Sequence, residues 1–163
     1  MFWRKIDSFE QQAVREFIKL HVSWSKEIDT QVDKVKIAFV GMDSTSTRQE
    51  VLKLVGETLE TVRNVESKAM NKGNWPKLHE SKGSSILAEL WLQRASTFKH
   101  QIWRLSTIGR IAKASAYEEQ ALMQEAIEAT SEYENSVNEM AKVGIKLLKR
   151  YKIPVQEVFQ MMM

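Results

Sequence analysis

Residues 115–151 have the sequence SAYEEQALMQEAIEATSEYENSVNEMAKVGIKLLKRY, in which apolar or small side chains recur every three or four positions. This spacing places the recurring side chains on one face of an α-helix. The pair Ser115 and Glu118 is typical of a helix N-terminus. We therefore predict one long helix over residues 116–151. Its apolar face consists of Leu122, Ala126, Ala129, Tyr133, Val137, Met140, Gly144, Leu147 and Tyr151.

The same periodicity predicts three more long helices and one short one. They cover about residues 7–40, 47–71 and 84–113, and a short terminal helix that Pro154 begins. The segment between the second and third helices, residues 73–83, is dense in Gly and Pro and is predicted to be a loop. Residues 35–40, VKIAFV, are β-branched and can also be read as a strand. We favour a helix there because a lone strand has no partner to pair with.

Capping signals support the helix boundaries. Asp7 with Glu10, and Thr47 with Glu50, both have the spacing of a capping box, and Gly41 is placed to end the first helix. Two other glycines, Gly109 and Gly144, lie on apolar faces, where a neighbouring helix is expected to approach closely.

The composition agrees with this assignment. The 163 residues include only 6 Gly and 2 Pro, which leaves little material for turns. An apolar content of 43% excludes intrinsic disorder, and the absence of Cys excludes disulfides and thiolate metal sites. We predict an all-α, elongated, antiparallel bundle of about four long helices plus a short C-terminal helix, forming a single domain over residues 1–163.

Several functional classes receive no support from the sequence. No window is apolar enough to span a membrane, and residues 1–6 lack the apolar core of a signal peptide, so we expect a cytoplasmic protein. The histidines at 21, 79 and 100 have no glutamate three residues before them, which argues against a di-iron site. His21 falls on an apolar face and is interpreted as a satisfied core histidine. We predict no enzyme activity, no cofactor and no metal.

Two residues of the third helix break its amphipathic pattern. Arg94 falls within the apolar face, where a guanidinium either reaches outward, pairs with a glutamate of the fourth helix, or joins an ion pair at an interface or pocket. Trp103 falls opposite that face and is either covered by the terminal segment or exposed as a hot spot of an interface. The terminal segment itself has the spacing of a groove-binding amphipathic helix, at Val155, Val158, Phe159 and Met162.

These residues favour a non-enzymatic protein–protein interaction module, acting as a regulator, adaptor or inhibitor and self-associating into a homo-oligomer. The terminal segment is expected to dock on its own bundle in preference to a partner.

Two alternatives remain open. The first is a nucleic-acid-binding protein, in which Tyr151 stacks on a base beside the basic residues Lys142, Lys146, Lys149, Arg150 and Lys152. The net charge of only +3, and the basic end of the third helix lying beside the acidic part of the fourth, make this less favoured. The second is a small-molecule sensor with an apolar cavity near Trp24, Trp91 or His21.

Overall fold

The computed structural model describes residues 7–163, which contain helices and no strand. The predicted all-α bundle of four long helices and a short terminal one is confirmed. Residues 1–6, in which we expect no signal sequence, lie outside the described range. Among residues 7–163, no helix has the length and apolar content needed to cross a membrane.

The helices are α1 (Ser8–Val40), α2 (Thr45–Ala69), α3 (Ser81–Lys113), α4 (Ala116–Arg150) and α5 (Val155–Met162), with one 3-10 turn at Lys72–Asn74.

Residues 35–40 form the last part of α1, so the helical interpretation of this segment is confirmed. Val35 is fully buried in an apolar cluster that includes Val51 of α2 and Leu105 of α3. Burial on a helix face therefore outweighs the β propensity of this segment. The helix ends at Gly41 as predicted, and the Gly41 backbone N–H donates to carbonyl groups of the preceding turn.

The first turn of α1 differs from the predicted capping box. Asp7 is the N-cap, and its carboxylate accepts a hydrogen bond from the Phe9 backbone N–H at 2.8 Å. Glu10 is turned inward instead of capping its own helix, and it is only 6% exposed. Its carboxylate accepts hydrogen bonds from the His79 backbone N–H and the Tyr151 hydroxyl. Glu10 thus ties α1 to the segment before α3 and to the end of α4.

The start of α2 also uses a different capping pair from the predicted one. The Ser44 hydroxyl accepts from the Thr47 backbone N–H, and the Thr47 hydroxyl accepts from the Ser44 backbone N–H at 2.8 Å. The helix therefore begins at Thr45, and Glu50 takes no part in the box. Ser115 is the N-cap residue of α4 as predicted, although its side chain makes no capping bond.

The third helix begins at Ser81, earlier than the predicted residue 84. Gly83, assigned to the loop from the sequence, lies in the first turn of α3. The Tyr151 side chain packs directly over it and is 1% exposed. A Cβ atom at Gly83 would overlap the Tyr151 hydroxyl. This glycine is therefore required for contact between the start of α3 and the end of α4, and not for a turn.

The helices pack in chain order, α1 on α2, α2 on α3 and α3 on α4. The first and last helices of this series, α1 and α4, are not among the pairs that pack extensively within residues 7–163. They are joined at one end, where the Gln11 side-chain amide donates to the Tyr151 carbonyl at 2.8 Å. Farther along, the bundle stays open between α1 and α4.

The short helix α5 docks on α1, as expected for the terminal segment. Arg15 of α1 binds the Glu157 carboxylate through Nε at 2.9 Å and Nη2 at 3.1 Å. The Lys26 ammonium donates to the Met161 carbonyl at 2.5 Å. These contacts hold α5 along α1, beside the opening between α1 and α4.

Replacement of Gly83 by Ala tests the contact between α3 and α4. We expect Gly83→Ala to lower the free energy of unfolding by about 1–3 kcal/mol, because the added methyl group displaces the buried Tyr151 ring. The control is Gly56→Ala in α2, where a Cβ meets no atom within 4 Å. That change should raise stability by up to about 1 kcal/mol through helix propensity. Urea unfolding of both variants measures the difference, and equal effects would contradict the proposed overlap.

Candidate functional site

An apolar cleft occupies the opening between α1 and α4. Its volume is about 590 Å³, within the range of roughly 300–1,000 Å³ typical of small-molecule sites. Helix α3 lies at its back, α5 runs along its margin, and Trp75 of the α2–α3 connection lines one end. The apolar side chains of the three long helices around it are Phe17, Ile18, Val22, Ile28, Leu90, Phe98, Val137, Met140, Ala141, Ile145 and Leu148.

The cleft extends along α1 and α4. Its α1 lining extends from Phe17 to Asp29 and its α4 lining from Tyr133 to Leu148. At the helical rise of 1.5 Å per residue, these spans are about 18 and 22 Å. The cleft is therefore long enough for an extended molecule that lies along the two helices.

Gly144 increases the width of the cleft on the α4 side. The sequence predicts close helix approach at both Gly109 and Gly144. The prediction is confirmed at Gly109, where an added Cβ would lie 3.2 Å from Val55 Cγ1. At Gly144 it is wrong, because a Cβ would meet nothing within 4 Å and the residue faces the cleft. Gly144 therefore borders the open space between α1 and α4.

Arg94 lies in the wall of the cleft and is only 7% exposed. Its Nη1 lies 4.0 Å from the Met140 sulfur, and its guanidinium carbon lies 4.6 Å from the centre of the Phe98 ring. Within residues 7–163, its Nε and Nη2 atoms are buried and have no hydrogen-bond acceptor. Of the possibilities raised by the sequence, outward reach and pairing with an α4 glutamate are both wrong, since the side chain is buried and these two nitrogens have no acceptor.

The charge of Arg94 is poorly compensated. Burial lowers its pKa to about 10, although the nearby Tyr133 and Asp29 side chains partly oppose this shift. The guanidinium therefore remains protonated at neutral pH. A buried cation without a hydrogen-bonding anion is costly, and its two unpaired N–H groups add the cost of lost hydration.

His21 lies beside Arg94 and is held neutral. Burial, and secondarily the charge of Arg94, lower its pKa to about 3. Its ring lies among Phe17, Trp24 and Trp75, at centre distances of 4.4, 5.1 and 5.2 Å. The sequence interpretation as a satisfied histidine is only partly right, because its Nε2 is buried without a partner.

Unfolding of the chain restores the ordinary pKa of 6.5 to His21. This residue therefore favours unfolding increasingly as pH falls from about 6.5 to about 3.

Gln101 supplies another unpaired donor. Its Oε1 accepts from Arg104 at 2.5 Å, but its Nε2 is buried without a partner. Arg104 in turn lies over the Tyr133 ring, 4.3 Å from its centre. Gln101 is missed from the sequence, although its position seven residues after Arg94 places both on the same face of α3.

The unpaired groups in the cleft lining have a common chemical character. The two nitrogens of Arg94 and the amide nitrogen of Gln101 are donors only, and His21 Nε2 is a donor or an acceptor according to its tautomer. The chain places no acceptor against them within the described residues. The wall of the cleft therefore holds a surplus of buried hydrogen-bond donors, within a mainly apolar lining that also includes Asp29 and Tyr133.

Trp103 does not belong to this cleft. It is half-buried, and its indole N–H donates to Glu125 of α4 at 3.1 Å. Arg110 donates to the same carboxylate oxygen at 2.9 Å, as expected for the basic end of α3 beside the acidic part of α4. The expectation that the terminal segment covers Trp103 is wrong, because α5 lies on α1 instead.

The terminal residues predicted to bind a groove lie along the cleft of their own chain. Val155 and Val158 are half-buried, and Phe159 and Met162 are 60% and 57% exposed. The last two present apolar surface to solvent as well as to the cleft. Their side of α5 is thus both a wall of the cleft and an exposed apolar edge.

The basic residues proposed for nucleic-acid binding are partly engaged within the chain. Lys142 pairs with Glu139 at 2.9 Å, Lys146 lies 3.6 Å from Glu89, and Arg150 pairs with Glu80. Over residues 7–163, the remaining two, Lys149 and Lys152, form no ion pair with the chain. The proposed stacking of Tyr151 is wrong, because its ring is buried over Gly83.

A second concavity of about 550 Å³ lies where α3 turns into α4, lined by residues such as Lys113 and Tyr117. Its lining includes none of the buried unpaired polar atoms found in residues 7–163. The cleft between α1 and α4 is therefore the stronger candidate for a binding site.

Replacement of Arg94 by Met tests whether its charge is uncompensated. In protein refolded from denaturant to remove any bound molecule, we expect Arg94→Met to raise the free energy of unfolding by about 1–3 kcal/mol. Arg63→Met, at an exposed position of α2, should change it by less than about 0.5 kcal/mol. Urea unfolding at pH 7 measures both. A loss of stability in Arg94→Met would mean that the chain itself satisfies this guanidinium.

Comparisons with protein-family models, curated proteins and solved structures found no significant match to this chain. The function is therefore argued from the geometry of the cleft and the chemistry of its lining.

Proposed function

We propose that this chain is a non-enzymatic helical bundle that binds an elongated small organic molecule in the cleft between α1 and α4. The observation that carries the proposal is the cleft of about 590 Å³, which remains where α1 and α4 fail to close the bundle. Its size and mainly apolar lining are those of ligand pockets. This corresponds to the alternative function of a small-molecule sensor, whose cavity was expected near Trp24, Trp91 or His21; of these three, only His21 lines the cleft.

The structure supports this proposal more than the preferred expectation from the sequence. An ordinary bundle core would bring α4 against α1 and leave no unpaired Arg94 nitrogens, since interiors are close-packed and buried polar groups are paired. The open space at Gly144 and the surplus donors both occur in one place. A bound molecule would bury the apolar walls and give those donors a partner.

Protein binding is a second candidate function. The observation that favours it is the exposed apolar edge of α5, formed by Phe159 and Met162. Apolar side chains at helical spacing on a surface are typical of helix-mediated interfaces. Self-association through this edge stays a prediction, and a monomeric mass in sedimentation at high concentration would count against it.

Nucleic-acid binding is less favoured because three of its five proposed cations are paired with acids.

Filling the cleft tests the proposed function. The neutral fluorophore N-phenylnaphthylamine gains emission in apolar surroundings and serves as the probe. We expect wild-type protein to bind it with micromolar affinity, and Gly144→Leu to weaken binding about tenfold or more, because the new side chain projects into the cleft. The control is Gly56→Leu, in which the same change is made at an exposed position of another helix.

Both glycine variants gain helix propensity, so a general effect on helix stability would appear in both. The proposal requires a difference between them. No binding by the wild-type protein, or equal binding by wild type and Gly144→Leu, would contradict it.

A further inference from the structure

Arg94 has an unused carboxylate-binding edge in the wall of the cleft. The two buried and unpaired atoms of its guanidinium are Nε and Nη2. A guanidinium can donate two parallel hydrogen bonds to the two oxygens of one carboxylate. Neither atom has a protein acceptor among residues 7–163, and both are buried in the wall of the cleft, so a small rotation of the side chain is needed to expose them to a bound molecule.

The same chain contains the matching interaction at its surface. Arg15 uses its own Nε and Nη2 to hold the two oxygens of Glu157, at 2.9 and 3.1 Å. Arg94 has the same pair of atoms without the carboxylate. It also lies in a more buried position, where a hydrogen-bonded ion pair is stronger than in water and an unpaired charge is more costly.

The charges around the cleft are consistent with a negatively charged ligand group. The charged residues of the lining are Lys26, Arg94 and Asp29, which leave an excess of one positive charge. The Gln101 amide adds a further unpaired donor. A cationic ligand would meet this positive charge, and a neutral one would leave the guanidinium without an anion.

The lining beyond Arg94 is mainly apolar. Towards Trp75 it consists of Leu90, Phe17 and Leu148 together with the neutral His21, and the half-buried valines of α5 lie along its margin. The rest of a molecule held at Arg94 would therefore meet mainly apolar side chains in that direction.

We infer that the ligand of the cleft is an amphiphilic carboxylate such as a fatty acid. Rotation of the Arg94 side chain exposes its Nε and Nη2 edge to the ligand carboxylate, and the apolar body of the ligand lies towards Trp75 and α5. This inference rests on the proposed function, because it requires that the cleft binds a small molecule at all.

A pair of ligands that differ only in the head group tests the inference. Refolded protein is titrated with dodecanoate and with dodecanol, below the concentrations at which either self-associates, and binding is followed by the fluorescence of Trp75 and its neighbours. We expect dodecanoate to bind roughly tenfold to a hundredfold more tightly than dodecanol, as for a charge-assisted hydrogen-bonded pair.

Three variants separate the contribution of Arg94 from general effects. Arg94→Met should remove the preference and leave two similar affinities. Arg94→Lys keeps the charge but cannot donate two parallel hydrogen bonds, so it should keep only part of the preference for dodecanoate. Arg63→Met, on the exposed surface of α2, should behave as wild type.

The failures of the two proposals are distinguishable. Equal affinities for dodecanoate and dodecanol in the wild-type protein would overturn the carboxylate inference and leave the cleft as a binding site. A preference that persists in Arg94→Met would overturn the assignment of Arg94. No binding of either compound, nor of the neutral fluorophore, would overturn the proposed function as well.

Discussion

Arg94 is a guanidinium buried among apolar side chains. Such a group lowers the stability of the fold unless it binds an anion. Its two unpaired nitrogens lie in a wall of side chains that offers them no acceptor among residues 7–163. Losing the hydration of such groups costs about 1–3 kcal/mol each for neutral donors, and more for charged ones. Marginal stability makes that a large fraction of the total for a chain of 163 residues. An anionic molecule bound in the cleft would supply the acceptor that these nitrogens lack.

The opening between α1 and α4 follows from how the ends of the bundle are fixed. Glu10 and Gln11 bind Tyr151, so α1 and α4 meet where the chain leaves α4. Gly83 admits the Tyr151 ring to this contact. The helices do not pack extensively beyond it, and α5 is held beside the gap by Arg15 and Lys26. The proposed binding cleft and the contacts that join α1 to α4 thus use different parts of the same two helices, consistent with the common trade of stability for function.

Periodicity was sufficient to predict the helices, because apolar side chains must recur at 3.6 residues to be buried on one side. It was not sufficient to assign individual polar groups. Glu10 has the spacing of a capping residue, and only the arrangement of three distant segments shows that it binds Tyr151 instead. Gly109 and Gly144 look alike in the sequence, yet one lies against Val55 and the other faces open space. Arg94 could be recognised as a charged residue on an apolar helix face. Its lack of a hydrogen-bond acceptor could not be predicted, because it depends on which helices pack together in the bundle.

The most direct measurement of the central claim is the mass of the intact chain, purified from its native host and ionised under native conditions. The account predicts a retained ligand, one molecule per chain, whose organic extract ionises as a carboxylate. It also predicts that Arg94→Met purified in the same way has the bare mass. A wild-type chain with the bare mass in every preparation, or a retained compound without an acidic group, would contradict the account.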